Sequence, residues 1–579
     1  MKSSEHTFTS WDGVRLFYRS WLPPVSCPKK ALLLFHRGHE HSGRWQETVD
    51  SLGLEDVAIF AWDARGHGRS PGERGAAESV AAVVRDVDDF VRHVAKEHQI
   101  PIEHMILIAH SLGAVHVAAW VHDYAPPIRG MVLVTAAFRV KLYVPLAIPA
   151  LRLRERFFGR GYVKSYVKAR MLTHDAEQAA QYESDPLIFR QIATNLLIDL
   201  HDTGRRLMAD AGAIHTPTLM LGTGKDWVVS LNAQRKFFDR LSSPIKRMHT
   251  FPGAYHALFH ESQRYEVIRY IRDFLQERFA QPATFPFFLN GDRTSHTWKE
   301  YERLKQGHAR AKFALARAGL KTVGRLSRGI DLGWRAGFDS GLSLDYVYAN
   351  QPRGTTPVGR LIDKSYLNSP GWRGIRQRKQ HLQEALLAAI EEIHKEGRPV
   401  RLLDIAAGAG RYVLETIRAR PGIPVSVTLR DYKQENIEAG QALTKEFDLE
   451  NVTIERGDAF DSKALQSIAP RVTIGIVSGL YELFPENEMV LKSLAGLADA
   501  IEPDGFLIYT NQPWHPQLEF IASVLRNREG DKWIMRRRTT AEIDQMIHAC
   551  GFEKVAMKID QWGMFTVSTA RKRQSEAME

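Results

Sequence analysis

Short, uninterrupted apolar runs recur through the first half of the chain: 31–35 (ALLLF), 57–62 (VAIFAW), 105–109 (MILIA), 131–135 (MVLVT) and 218–222 (TLMLG). Each is bounded by turn-forming residues and none alternates with polar positions, the pattern of strands buried on both faces of a parallel sheet. Stretches with helical spacing lie between them, such as 76–97, whose acidic residues are expected to face solvent. The succession predicts a doubly wound α/β domain over 1–280. Residues 281–375 show no strand alternation and are rich in Arg, Gly and aromatics, so they read as a connector. Within it, 309–328 interleaves basic residues with Phe313, Leu315, Leu320, Val323 and Leu326. That is a basic amphipathic helix, suited to a membrane surface or to docking on one of the domains. Residues 376–396 predict another amphipathic helix. Alternating strand and helix signals then resume at Val400 and define a second α/β domain over 376–579.

The strand at 105–109 runs into Ala109-His110-Ser111-Leu112-Gly113 and a small-residue helix. A serine on a sharp strand-to-helix turn needs small neighbours, and the turn presents its hydroxyl beside a helix N-terminus. By itself the pentapeptide also suits a serine that merely caps a helix. Two further loop residues follow in the order expected of an α/β-hydrolase: Asp226 after a strand and His256 before a helix. Serine attack needs such a base and such an acid to orient it. Capping and surface roles are the alternatives for these two. Acyl transfer also needs backbone donors for the oxyanion. The N–H of Leu112 is one, and the loop 36–45 (HRGHEHSGRW), directly after a strand, is placed to supply the other. Its His36, His39 and His41 allow a metal reading, but no carboxylate-rich partner motif accompanies them.

These segments, with 63–70 (DARGHGRS) and 184–187 (SDPL), resemble the monoacylglycerol lipase and lysophospholipase branch of the α/β-hydrolases over about 8–280. The resemblance implies Ser111 as nucleophile, His256 as base, Asp226 as its orienter, and Gly38 and Leu112 as oxyanion donors. Arg37 stands where that family usually has a glycine; it suits a substrate anion or a solvated surface. Residues 137–210 fall where such enzymes place a cap over the acyl pocket. A mixture of apolar and basic residues over 140–170 suits either an anionic lipid surface or a plain helical lid.

In the second domain a strand ends at Asp404 and is followed by a run of small residues, 405–410 (IAAGAG), before a helix. Small residues let the backbone approach a ligand and leave the helix N-terminus open. A second strand, 425–429, leads to Asp431, a carboxylate placed for a ribose diol. The dinucleotide fingerprint fails, because Val413 occupies the position that would need a small residue. The pattern instead resembles class I S-adenosylmethionine-dependent methyltransferases over about 376–570. That resemblance implies S-adenosylmethionine as cofactor. Asp404, Ala406, Gly408 and Gly410 fall in its first motif, with Ala406 replacing the usual glycine. Asp431 falls at the ribose acid, and Asp458 and Ala459 at the adenine position. It also implies strands at 472–478 and 503–509 and a closing antiparallel hairpin over 551–570. A Rossmann-like domain that no longer binds cofactor is the alternative. Tyr481, Glu482 and His515 lie in loops on the expected acceptor side, without an assigned role. Taken together, the two domains resemble bacterial proteins described as bifunctional α/β-hydrolase/class I methyltransferases.

Composition narrows the picture. Two cysteines among 579 residues exclude a disulfide framework or a cysteine-based zinc site and fit a reducing compartment. No run reaches the ~18 apolar residues of a membrane span, and the N-terminus lacks a signal-peptide pattern. A cytoplasmic location follows as the expectation, with peripheral contact at an anionic membrane. The net charge of +11 is concentrated: 281–400 carries 20 basic against 11 acidic residues, and 138–170 carries nine basic residues against Glu155. Two local anionic contacts fit this better than a nucleic-acid-binding surface. The expected partner of the first domain is a lipid ester, with a small non-lipid ester or amide as the alternative; a scaffold of inactive domains is opposed by the intact Ser111, Asp226 and His256. The ester, the methyl acceptor and the oligomeric state are not legible.

Overall fold

Continuous apolar strands require cover on both faces, and that requirement builds two separate sandwiches. The computed structural model describes residues 1–574 except 26, 308 and 309. The chain divides into two compact units, Met1–Pro286 and Phe287–Glu579.

The first unit is built on an eight-stranded sheet. It comprises β1 (Ser4–Thr9), β2 (Arg15–Trp21), β3 (Lys30–Phe35), β4 (Val57–Trp62), β5 (Met105–His110), β6 (Gly130–Val134), β9 (Thr218–Thr223) and β10 (Lys246–Phe251). The order is β1-β2-β4-β3-β5-β6-β9-β10. Strands β3 to β6, β9 and β10 are parallel, while β1 and β2 form an antiparallel edge. Every residue of β4, β5, β6 and β9 is buried, as their unbroken apolar runs predict. Between β6 and β9 rises a cap with the helices Ala147–Phe158, Ala176–Ser184 and Thr194–Asp210. It also holds a small ribbon of β7 (Tyr162–Lys164) and β8 (Gln191–Ala193).

One expectation fails in the helix predicted at 76–97, which begins at Val80 and ends at Glu97. Its Asp86 is fully buried and accepts hydrogen bonds from Arg65 Nε (2.6 Å) and Nη2 (2.5 Å) and from Ser10 Oγ (2.5 Å). A carboxylate on the inner face survives because a guanidinium meets it there. Asp86→Ala leaves the Arg65 charge without its main partner and is expected to destabilise the protein by about 3 kcal/mol, measured by denaturant unfolding.

The second unit carries a seven-stranded sheet of β11 (Val400–Asp404), β12 (Val425–Asp431), β13 (Val452–Arg456), β14 (Val472–Val477), β15 (Ile501–Asn511), β16 (Phe552–Ile559) and β17 (Thr566–Lys572). Its order is β13-β12-β11-β14-β15-β17-β16. Only β17 runs antiparallel to its neighbours, closing the sheet as a hairpin with β16. This is a Rossmann-like methyltransferase arrangement.

The expected connector is not a separate segment. Residues 287–375 belong to the second unit, where they form helices that include Ala311–Lys321, Arg328–Ala336, Gly341–Ala349 and Pro357–Leu367. The physical reason is apolar: Phe313, Ile330, Phe338 and Val347 share one core with Trp372, Leu525, Trp533 and Phe565. Of the amphipathic stretch 309–328, Ala309 lies outside the described residues, and the chain is helical over Ala311–Lys321 with a short turn at Val323–Leu326. Phe313 faces inward, while Leu315 and Val323 stay exposed. The segment docks on its own unit.

Candidate active sites

Strand β5 ends at His110, and the helix Leu112–Tyr124 begins two residues later, so Ser111 must turn the chain within a single residue. It does so at φ 54° and ψ −108°, a conformation a non-glycine residue holds only when its surroundings enforce it. Gly113 is obligatory for a different reason: a Cβ there would lie 2.6 Å from the carbonyl oxygen of His36. The helix therefore starts hard against β3, and Ser111 Oγ projects at the sheet's C-terminal edge. His256 Nε2 lies 2.8 Å from Ser111 Oγ, and His256 Nδ1 lies 2.9 Å from Asp226 Oδ2. All three side chains are buried.

Asp226 is held by more than the histidine. Its Oδ1 accepts the Val228 and Val229 N–H groups at 2.7 and 2.9 Å, and its Oδ2 accepts Thr223 Oγ1 at 2.9 Å. Burial works to raise its pKa, but the His256 imidazole and these backbone donors outweigh it and bring the carboxyl down to about 2. Thr135 Oγ1 donates to the His256 carbonyl at 3.1 Å, and the His110 ring stacks on the His256 ring. Sequence reasoning missed Thr135, Thr223 and His110 as supports; their one legible signal was adjacency to strand ends.

Gly38 and Leu112 come together beside Ser111: a Cβ on Gly38 would touch Leu112 Cδ2 at 3.5 Å. With Ser111, His256 and apolar cap residues such as Leu142, Val163 and Leu196 they line a cavity of about 130 Å³. Arg37 is not a solvated surface residue; it lines this cavity, and its Nε has no hydrogen-bond partner. It is buried, pairs with Glu40 at 2.9 Å and lies over the Tyr182 ring at 4.7 Å. The three loop histidines each have their own surroundings. His36 accepts the Ala64 N–H and meets the Arg37 carbonyl, His41 bonds Asp185 at 2.9 Å, and His39 packs edge-on against Phe189 in the cavity wall. The 63–70 motif is architectural: Asp63 accepts the Ser42 and Arg69 N–H groups and so ties the loop after β4 to the loop after β3.

In the second unit, a cavity of about 400 Å³ opens at the C-terminal ends of β11, β12 and β13. Ala406, Gly408, Gly410, Asp431, Asp458 and Ala459 all line it. Gly408 and Gly410 adopt left-handed φ values of 58° and 67°, and a Cβ on Gly410 would collide with Leu429 Cδ1 at 2.4 Å. Ala406, by contrast, sits where a methyl is tolerated. Asp431 braces the loop: Oδ2 accepts the Gly408 N–H at 2.9 Å, and Oδ1 accepts Lys433 N–H and Asn436 Nδ2.

Asp404 does not reach the cavity. It is fully buried behind the loop and accepts from the Tyr412 hydroxyl. Burial, with Asp431 nearby, pushes its pKa up to about 7 despite that hydrogen bond. Because this lies above the ordinary value of 3.8, the unfolded chain ionises first as pH rises. Stability is therefore expected to fall by up to about 1.4 kcal/mol per pH unit between those values. Asp404→Asn should flatten that part of a pH–stability curve measured by denaturant unfolding.

Sequence reasoning missed the helical contribution to this cavity. Asp339, Gly341, Leu344, Asp345 and Tyr348, from the supposed connector, line its other side, and Arg411 pairs with Asp345. Of the three unassigned loop residues, Tyr481 is buried with its hydroxyl on Ser493 and lines neither this cavity nor its neighbour. Glu482 and His515 line a neighbouring cavity.

Two family models match this chain. One, described as "Serine aminopeptidase, S33", covers 26–263. The other, described as "Putative methyltransferase", covers 271–572, more than half of the sequence. The chain belongs to this methyltransferase family. Its N-terminal unit is an S33-type α/β-hydrolase domain similar to monoglyceride lipases, and its C-terminal unit is the methyltransferase-family domain. A relative named uncharacterized protein YnbC, from Escherichia coli (strain K12), is 49% identical over 98% of each chain. A monoacylglycerol lipase of Mycolicibacterium smegmatis is 28% identical, covering 45% of this chain and 92% of its own. A human monoglyceride lipase is 29% identical, covering 43% and 82%. The methyltransferase model begins within the hydrolase unit's last helix, Arg264–Ala280, and takes in all of 281–375. That coverage agrees with the helical layer's place in the second unit.

Proposed function

We propose that the first unit is a serine hydrolase of carboxylic esters, with lipid acyl esters as its substrates. The observation that carries this reading is the unbroken Ser111–His256–Asp226 hydrogen-bonded relay. His256 Nε2 takes the Ser111 proton as Oγ attacks the ester carbonyl, and Asp226 holds the ring by Nδ1 and stabilises the imidazolium. Backbone N–H groups of Gly38 and Leu112 bind the oxyanion. His256 then returns the proton to the departing alcohol, and water releases the acyl group as a carboxylate by the same steps. The apolar wall over Ser111 favours acyl chains over polar esters. A chain-length series of p-nitrophenyl esters tests this; rates that fall steadily from acetate upward contradict the lipid assignment.

The cap offers a membrane contact. On the helix Ala147–Phe158 and the turn before it, Tyr143, Val144, Leu146, Leu153, Phe157 and Phe158 are exposed, interspersed with Arg152, Arg154 and Arg156. Apolar side chains beside cations suit the headgroup region of an anionic bilayer, where each cation contributes about 1 kcal/mol. No described helix is long and apolar enough to cross a membrane, so the contact is peripheral. Flotation with anionic liposomes at low salt is expected to carry the protein upward, and Phe157→Asp with Phe158→Asp to prevent it. Equal flotation of both forms contradicts the assignment.

For the second unit we propose S-adenosylmethionine-dependent methyl transfer. The cavity fits that cofactor in three respects. Its size falls in the range of about 300–1,000 Å³ used by small-molecule sites. Asp431 is a carboxylate beside small residues that admit a close backbone approach. Phe460, Leu480 and Phe484 form an apolar wall near Asp458. The cofactor would supply an electrophilic methyl group on a sulfonium. Asp431 would accept the ribose hydroxyls, the Ala406–Gly410 loop would admit the amino-acid portion, and Asp458 with Ala459 would bind the adenine. Calorimetry with S-adenosylmethionine tests this, and absence of binding removes it.

A further inference from the structure

Within the second unit, a cavity of about 420 Å³ adjoins the proposed cofactor cavity and shares Asp339, Leu344, Arg378, Gly479 and Leu483 with it. Its body is apolar and largely aromatic, with Phe338, Tyr366, Trp372, Phe520, Trp533 and Phe565 in the wall. Such a lining selects a largely apolar molecule. The buried polar groups in it are mostly donors in need of an acceptor. Arg378 is 2% exposed and its guanidinium lies over the Phe565 ring at 5.2 Å, yet its hydrogen bonding is weak, a long 3.5 Å contact with Tyr348 Oη. Glu482 stands 3.7 Å from it, attractive but beyond hydrogen-bond distance. Arg378 Nε and the amide nitrogen of buried Gln512 have no hydrogen-bond partner. His515 accepts the Gln517 N–H at Nδ1, which leaves its proton on Nε2 as a third donor. Asp339 does not compete for these donors in full, since its Oδ1 accepts the Arg528 N–H at 2.6 Å. Buried donors left in this state are costly unless a ligand brings oxygen atoms to them.

We infer that this second cavity binds a hydrophobic carboxylate of the fatty-acid class and that Arg378 holds its carboxylate at the wall shared with the cofactor cavity. The inference rests on the methyltransferase reading above and names the acceptor for that site. In the step it implies, a carboxylate oxygen gives the electron pair of a new O–CH3 bond. The methyl–sulfur bond breaks with its pair passing to sulfur. The products are a neutral methyl ester and a neutral thioether, and no proton moves, so the site needs no base. The acceptor is also the class of molecule that ester hydrolysis in the first unit releases.

Binding is tested on the full chain carrying Ser111→Ala, so that the methyl dodecanoate added as a probe is not hydrolysed to dodecanoate. Tryptophan fluorescence is titrated with dodecanoate, dodecanol and methyl dodecanoate, without cofactor. Saturable quenching is expected with dodecanoate, about tenfold tighter than with either neutral analogue. The response should vanish when Trp372 and Trp533 are both changed to Phe, which separates it from binding in the hydrolase cavity. Arg378→Gln should bring dodecanoate level with dodecanol. Gln512→Leu, a milder change that leaves the buried charge in place, should narrow the preference severalfold. Dodecanol binding as tightly as dodecanoate overturns the inference. So does the lack of any Trp372- and Trp533-dependent response to octanoate, dodecanoate and hexadecanoate. Calorimetric binding of S-adenosylmethionine to the same sample reports separately on the methyltransferase reading, so the two failures are distinguishable.

Discussion

Ser111→Ala is expected to lower the turnover of p-nitrophenyl esters by about 10⁴- to 10⁶-fold while leaving the melting temperature nearly unchanged. The size of the effect follows from the geometry. Among the described residues, only Ser111 Oγ lies 2.8 Å from His256 Nε2 and at the same time beside Gly38 and Leu112. Removing it leaves the oxyanion donors but no nucleophile. Stability is spared because the substitution deletes a single oxygen from a turn whose shape Gly113 and the neighbouring strands impose. Asp226→Asn is expected to cost about 10⁴-fold, since an amide both fails to stabilise the imidazolium and disturbs the ring's proton placement. The carboxyl's pKa of about 2 keeps Asp226 ionised throughout the neutral range. Its contribution to stability is present above the ordinary value of 3.8 and is lost as pH falls toward 2. Acid loss of activity above pH 4 is therefore not due to this group, which a pH–rate profile read beside an unfolding curve checks.

Asp431→Ala is expected to weaken S-adenosylmethionine binding by about 10²-fold or more, measured by calorimetry. Two effects add. Hydrogen bonds from ribose hydroxyls to a carboxylate are each worth about 1.5–3 kcal/mol. The same carboxylate also fixes the small-residue loop by accepting the Gly408 N–H, and it orients Asn436. Asp431→Asn keeps the shape and loses the charge, so it should fall between the two. An unchanged affinity in Asp431→Ala would show that the donor binds elsewhere. The Asp404→Asn variant should have a smaller effect on binding, because Asp404 stands behind the loop under Tyr412 and does not line the proposed cofactor cavity.

The parts legible in the sequence were those governed by local chemistry. Unbroken apolar runs located β3, β4, β5, β6 and β9, because strands buried on both faces leave no room for polar residues. Ser111, Asp226 and His256 stood out because each occupies a loop at a strand's C-terminal end. The failures were tertiary. Nothing in the helical pattern of Val80–Glu97 reveals that Asp86 turns inward to Arg65, more than twenty residues away. Arg37 read as an anion contact or a solvated side chain because Tyr182, which covers it, is brought there only when the cap folds over the loop. The stretch 281–375 looked like a tether for a similar reason. Its apolar residues are sparse in sequence, and they form a core only with Leu518, Leu525, Trp533 and Phe565 from beyond it. Periodicity reports a face, but not what covers it.

The central claim is that a hydrogen-bonded relay makes Ser111 reactive toward carbonyl carbon. The most direct test is to treat the full-length protein with a fluorophosphonate and locate the adduct by peptide mass spectrometry. One adduct per chain, on Ser111, formed at least about 10³-fold more slowly in His256→Ala, is the predicted result. No adduct on the folded protein, or labelling of Ser111 at the same rate without His256, would contradict it.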